Sequence, residues 1–178
     1  ELTGAEVVVF RNDASVRKLE GLETYTSTFQ DKALKPIEVT IGGLNYHLDL
    51  LDGQKTGFYL DQRDQHELVA SYASGRSVLD AFCNQGAFAL QCAKAGAKSV
   101  LGIDSSDTAI QAAINNAEIN RLSADFKQAN VFDYFTEHRE TTFGLIVLDP
   151  PPFARTHGQI AGALKGYKEI NLRALKSL

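Results

Sequence analysis

The hydrophobic pattern of this chain changes its period near residue 61. Between Glu6 and Tyr59 the apolar residues fall in short runs, EVVVF at 6–10, PIEVTI at 36–41 and NYHLDL at 45–50. Alternation of period two marks a half-buried strand, and Gly42-Gly43 between the second and third runs predicts a hairpin. Residues 12–34 are mixed and give no assignment.

After Asp61, β-rich apolar runs alternate with longer helical stretches. SVLDAF (77–82) leads into a helix over Ala87 to Ala95, and KSVLGID (98–104) into one over Ala109 to Asn120. ADFKQAN (124–130) precedes a short helix, and FGLIVLD (143–149) precedes the terminal one. Strand–helix alternation at this spacing requires right-handed crossovers and a parallel sheet covered on both faces. The expectation is α/β: a Rossmann-like doubly wound domain over residues 62–178, preceded by a small β-rich α+β connector over residues 1–61.

Composition narrows the function classes. With 178 residues, 44% hydrophobic and 22% charged, the chain can bury a sizeable core. Its net charge is −4, so no overall field draws it onto a polyanion, and an RNA partner requires a local basic surface or help from elsewhere. The apolar runs are too short to span a bilayer, and no signal peptide is visible. Cys83 and Cys92 lack CxxC spacing, which argues against a zinc site and a secreted disulfide framework and for a reducing cytoplasm. His47 falls on a strand face and His66, His138 and His157 on helical or loop surfaces; no pair has metal-ligand spacing, so no metal is expected. The chain starts at Glu1, contains no Met and stops inside a helical pattern, so we expect a piece of a longer protein.

In doubly wound sheets ligands bind beyond the carboxyl ends of the strands, where strand order reverses. The four strands run out at Asp80, Asp104, Asn130 and Asp149. Taken singly, each is equally well a turn former or helix cap; four in register point to a site. The turn after Asp80 has one glycine, Gly86, where a dinucleotide pyrophosphate asks for a second close-approach glycine, so NAD is disfavoured. A ligand with a carboxylate, an amine and a nucleoside but no phosphate suits this turn better. Asp104 is placed to accept from both ribose hydroxyls, and Asn130-Val131-Phe132 offers an amide, a backbone and an apolar surface for adenine. LDPPPF (148–153) sets a carboxylate before three prolines that stiffen the backbone.

These motifs resemble a known family, the class I S-adenosylmethionine-dependent methyltransferases. More narrowly they are similar to the large-subunit ribosomal RNA cytosine-5 methyltransferases that carry an N-terminal PUA domain. The stretches concerned are EGLE (20–23), GQKTGFYLDQR (53–63), VLDAFCNQGAFAL (78–90), GIDSS (102–106), NVFDYF (130–135), LDPPPFA (148–154) and GYKEINLRAL (166–175). The resemblance implies S-adenosylmethionine as cofactor, S-adenosylhomocysteine as product and ribosomal RNA as partner. It implies that Asp80, Asn84 and Gly86 line the methionine part, with Phe82 in the same turn. It places Asp104 and Ser105 at the ribose, and Asn130 and Val131 at adenine, with Asn130 standing where relatives commonly have Asp. Gln62 and Arg63 become a clamp over the cofactor, Arg63 a carboxylate partner. Asp149, Pro150 and Pro151 meet the target base, and Asp149 also borders the cofactor.

Methylating cytosine carbon 5 requires a thiolate to add at carbon 6 first. In relatives that cysteine follows the fifth strand, which this chain does not reach, and Cys83 and Cys92 read as buried filler. The chain is expected to bind cofactor without completing catalysis. Base N-methylation on the same fold, an NAD-dependent oxidoreductase and a non-catalytic RNA-binding module remain the alternatives. FGLIVLD is expected as an uncovered apolar edge, which invites pairing with another chain; self-association, as in a homodimer, disorder or dependence on the missing part is expected. Lys55 and, without the resemblance, Gln62 and Arg63 read as solvated loop residues; Tyr167 and Lys168 are candidates for substrate contact, with helix packing an equal explanation for Tyr167.

Overall fold

The computed structural model describes residues 7–51 and 58–178. Glu6 of the first predicted strand, and Lys55 with the rest of GQKTG, lie outside the described residues. The chain divides into two compact units, Glu1–Val39 with Tyr46–Leu60, and Thr40–Asn45 with Asp61–Leu178.

In the first unit β1 (Val9–Asn12) pairs antiparallel with β2 (Tyr25–Thr28) across a one-turn helix, α1 (Val16–Leu19). The stretch that gave no assignment thus holds a helix and a strand. Its YTST run is largely solvent-exposed and lacks the apolar alternation that would announce a strand. Tyr46, 1% exposed, packs edge-on against Phe58 at 4.8 Å.

The predicted hairpin forms from β3 (Ile37–Ile41) and β4 (Leu44–Leu48). Gly42 and Gly43 take φ of 58° and 69°, the left-handed pair that a two-residue turn of this kind needs. Its tip belongs to the second unit, where the Gly42 carbonyl accepts from Gln91 Nε2 and Lys94 Nζ. Asn45 and Asn120 exchange two hydrogen bonds there, Asn45 N–H to Oδ1 at 2.8 Å and Nδ2 to the Asn45 carbonyl at 2.6 Å.

The second unit continues through α2 (Arg63–Ala70), β5 (Ser77–Ala81), α3 (Ala87–Lys94), β6 (Ser99–Asp104), α4 (Asp107–Asn120), β7 (Asp125–Gln128), α5 (Val131–Glu137), β8 (Leu145–Leu148) and α6 (Ile160–Lys176). The sheet is parallel, in the order β7-β6-β5-β8. This is the Rossmann-like α/β fold that the strand–helix alternation predicts, with β8 at one edge among the described residues.

Both faces of β5 are buried, which is why its run is almost continuously apolar. Leu79 and Ala81 pack against Val131, Tyr134 and Phe135 of α5 and Ile170 and Ala174 of α6. Val78 packs on the opposite face with Ala70, Ala73, Ala89 and Cys92, from α2, the turn after it, and α3. His66 corrects the surface position expected for it. It is 3% exposed and sits edge-on to Phe88 at 4.3 Å, because α2 turns its His66 and Ala70 stripe into that layer. Burial holds its imidazole below the usual value, against the opposing pull of Asp149 and Asp61.

Candidate functional site

Strand order reverses about β5, whose neighbours are β6 on one side and β8 on the other. The β5–α3 loop and the β8–α6 loop therefore leave toward opposite faces and open a crevice between them. Asp80 pairs across to Gly102 and Val147, Ala81 to Leu148, and Asp104 to Gln128. Asp80, Asp104 and Asp149 thus stand at the carboxyl end of the sheet. Asn130 lies two residues past the end of β7, three strand spacings or about 14 Å from the β8 tip.

The turn from Phe82 to Gly86 is tightly determined. Phe82, Asn84 and Gly86 all have positive φ, 66°, 48° and 83°. For a non-glycine residue that conformation costs of order 1–3 kcal/mol and persists only where surroundings impose it. Here Cys83 N–H donates to the Ile103 carbonyl at 2.9 Å, Gly86 N–H to the Cys83 carbonyl at 2.8 Å, and Asn84 N–H to Asp104 Oδ2 at 2.9 Å. Gly86 also permits close packing, since a Cβ there would lie 2.9 Å from the Phe126 ring and 3.2 Å from Ala113.

Asp104 is braced from two sides. Oδ2 takes the Asn84 N–H and Oδ1 takes the Ser106 N–H, both at 2.9 Å. Each oxygen keeps a second acceptor direction, the arrangement that receives two adjacent hydroxyls. Ser106, not Ser105, caps α4, accepting from Ala109 N–H at 3.3 Å. Ser105 is exposed beside Asp104, and its carbonyl accepts from Gln128 Nε2.

Asp80 is 2% exposed, and Oδ2 accepts the Ala89 N–H at 2.9 Å. Burial, with Asp149 and Asp104 adding negative charge nearby, pushes its carboxyl from the usual 3.8 up to about 7 against that hydrogen bond. Asp104 and Asp149, with Asp80 ionising near neutral pH, disfavour phosphate in this crevice and favour a cation. The electrostatics therefore agree with the sparse glycine content of the turn.

Asn130 caps α5, its Oδ1 accepting from Phe132 N–H at 2.9 Å and Asp133 N–H at 3.4 Å. That oxygen is occupied, and the free function at this tip is the amide nitrogen. Val131 turns its side chain into the core at 2% exposure. What it offers the tip is its N–H, which as the first of the helix has no intrahelical acceptor.

Gln62 closes a 3₁₀ turn, Leu60–Gln62, and its Nε2 donates to Asp149 Oδ2 at 2.6 Å. Arg63 does not join it. Its guanidinium pairs with the neighbouring Asp64 at 3.2 Å, and its side chain is 60% exposed. Beyond Asp149, Pro150 is half-buried and Pro151 exposed. The pattern of strand tips did not single out the aromatic cluster behind this loop, in which Phe153 lies among Phe82, Phe132 and Tyr167. Each of its aromatics lies in one of the resembling stretches, VLDAFCNQGAFAL, NVFDYF, LDPPPFA and GYKEINLRAL.

Residues 18–177 match the S-adenosylmethionine-dependent methyltransferase family. Ribosomal RNA large subunit methyltransferase I of Aliivibrio fischeri (strain ATCC 700601 / ES114) is 40% identical over 174 residues, and that of Tolumonas auensis (strain DSM 9187 / NBRC 110442 / TA 4) is 42% identical over 176. Each comparison covers 94% of this chain and 44% of the relative, so the chain spans less than half the length of the curated relatives it matches. The crystal structure of SMU.776 complexed with SAH superposes with a TM-score of 0.72 at 28% identity, covering 83% of this chain and 40% of that one.

Proposed function

Because this chain belongs to the S-adenosylmethionine-dependent methyltransferases, we propose that it is the cofactor-binding part of an RNA methyltransferase acting on large-subunit ribosomal RNA, with cytosine carbon 5 as the methyl acceptor. Residues 62–178 are the cofactor domain in this reading, and residues 1–61 the connector. The observation that carries it is the Asp104 carboxylate, braced by two backbone N–H groups in a crevice with two further carboxylates.

S-adenosylmethionine supplies an electrophilic methyl group on a cationic sulfur. Asp104 receives the ribose hydroxyls, with Ser105 beside it. The Val131 N–H and the Asn130 amide nitrogen face acceptors on the adenine ring. Asp80, Phe82, Asn84 and Gly86 line the amino-acid end, where Asp80 offsets the positive charge. Asp149, held by Gln62, borders the cofactor and, with Pro150 and Pro151, forms the wall facing the base. Arg63 stands outside this set in the arrangement described. Cys83 and Cys92 are buried, so neither suits the thiolate that carbon-5 chemistry requires.

RNA as substrate is supported by the names of the relatives and by one face of α6. Lys165, Lys168 and Lys176 are exposed there along a groove shared with Leu172 and the Arg173–Glu169 ion pair, and among the described residues no ion pair holds the three lysines. A local basic strip supplies the phosphate contacts that a net charge of −4 does not.

Calorimetry tests the cofactor. Binding of S-adenosylmethionine or S-adenosylhomocysteine, with none of NAD, is expected, and the reverse overturns the reading. Tritiated-methyl transfer by the intact protein to unmodified large-subunit RNA, followed by mass-spectrometric mapping, is expected to yield 5-methylcytidine. A methylated exocyclic or ring nitrogen would instead establish base N-methylation.

A further inference from the structure

Phe153 ends the loop that starts at Asp149, and its ring is turned inward. It stacks on Tyr167 with centroids 4.4 Å apart and planes inclined by 25°. Its backbone N–H donates to Tyr167 Oη at 3.2 Å. Phe132 and Phe82 flank it at 5.8 and 6.4 Å. On α6 the ring lies against Gly166, where a Cβ would come within 3.1 Å of it. A glycine inside a helix costs about 1 kcal/mol relative to alanine, and here the missing side chain is the space the ring occupies.

Pro150, Pro151 and Pro152 separate Asp149 from Phe153. Each proline fixes its own φ and restricts the residue before it, so this segment transmits position instead of absorbing it. Clamping Phe153 therefore sets where Asp149 stands at the β8 tip.

Resting on the methyltransferase reading, we propose that Gly166 and Tyr167 are positioning residues for the transfer reaction: they form a seat on α6 that holds Phe153 as the anchor of the Asp149 loop. Phe153 is thereby not a stacking platform for the target base. One face of its ring is taken by Tyr167, and the base meets the outward Asp149–Pro151 wall. This separates the loop from an acid-Pro-Pro-aromatic loop whose ring contacts substrate.

The test uses the intact protein with unmodified large-subunit RNA, measuring kcat, KM for RNA, the Kd for S-adenosylmethionine and the melting midpoint. Displacing a reacting wall by a fraction of an ångström is expected to lower kcat about tenfold in Gly166→Ala and Tyr167→Leu, with cofactor Kd and RNA KM within about twofold. Tyr167→Phe keeps the stack, loses the Oη acceptor and is expected to lose about threefold in kcat. Adding Phe153→Leu to Gly166→Ala makes room for the new methyl group and is expected to restore part of the rate. An unchanged kcat in folded Gly166→Ala overturns the proposal. So does a rise in KM for RNA with steady kcat in Phe153→Leu, the signature of a lost base platform. If Gly166→Ala fails to fold, Tyr167→Phe decides by the same split. Failure of the unsubstituted protein to bind S-adenosylmethionine is a different outcome and refutes the methyltransferase reading itself.

Discussion

Gln62 and Asp149, 87 residues apart in sequence, are joined by a 2.6 Å hydrogen bond from Nε2 to Oδ2. It ties the segment before α2 to the tip of β8 and holds one carboxylate oxygen in a fixed direction. Gln62→Leu removes a bond to a partly solvated carboxylate, worth about 1 kcal/mol, and methyl transfer by the intact protein is expected to slow roughly fivefold. Gln62→Glu sets two anions at hydrogen-bond distance and is expected to slow it further. Single-turnover rates with saturating RNA measure both effects. Equal rates for all three proteins would remove Gln62 from the site.

Gly86 and Gly162 give opposite predictions for the same substitution. At Gly86, φ is 83° and a Cβ would press on Phe126 and Ala113, so Gly86→Ala is expected to destabilise the chain by about 1–3 kcal/mol and to weaken cofactor binding. Gly162 lies in α6 with nothing within 4 Å of a built Cβ, and Gly162→Ala is expected to stabilise by about 0.5–1 kcal/mol. Urea midpoints compare the two. A stabilised Gly86→Ala protein would show that the turn is not the tight structure described.

The uneven legibility of the sequence has a physical basis. Buried on both faces, β5 and β6 announce themselves as apolar runs ending in Asp, so the sheet and its tips are readable. Asp104 stands out because it ends its own strand, and the N–H groups that brace it come from the β5–α3 turn and from Ser106 just after it. The short polar helix α2 buries only His66 and Ala70, and nothing local says that His66 meets Phe88. The same holds for Gln62 with Asp149 and for Phe153 with Tyr167, pairs created by chain crossings and not by periodicity. Val131 shows the converse case: the motif selects it for its backbone, and its side chain is buried in the core.

Both cysteines are expected to be silent toward thiol reagents in the folded chain. Cys83 is 5% exposed and Cys92 0%. Burial raises the Cys92 thiol to about 12 with help from Asp80. It raises Cys83 further, with Asp80 and Asp104 adding to the effect. The reactive thiolate is therefore suppressed at neutral pH. Ellman's reagent is expected to titrate neither cysteine before denaturant is added and both afterwards. Rapid native reaction at Cys83 would restore it as a candidate nucleophile.

Asp80 is expected to link proton binding to folding and, at the proposed site, to cofactor affinity. Its carboxyl titrates at the usual 3.8 when unfolded and at about 7 when buried in the fold, chiefly through loss of solvation. Between those values the folded chain binds the extra proton, so stability falls as pH rises through that window and levels off above it. Asp80→Asn keeps an acceptor for the Ala89 N–H and removes the charge, and its urea midpoint is expected to lose this decline. A cationic ligand in the crevice favours the ionised carboxyl and so works in the opposite sense. S-adenosylmethionine should therefore bind more tightly as pH rises toward about 7 and should release protons as it binds. Calorimetry in buffers of different ionisation enthalpy counts those protons. In Asp80→Asn this contribution to the release should vanish, and an unchanged proton count would separate Asp80 from the cofactor's charge.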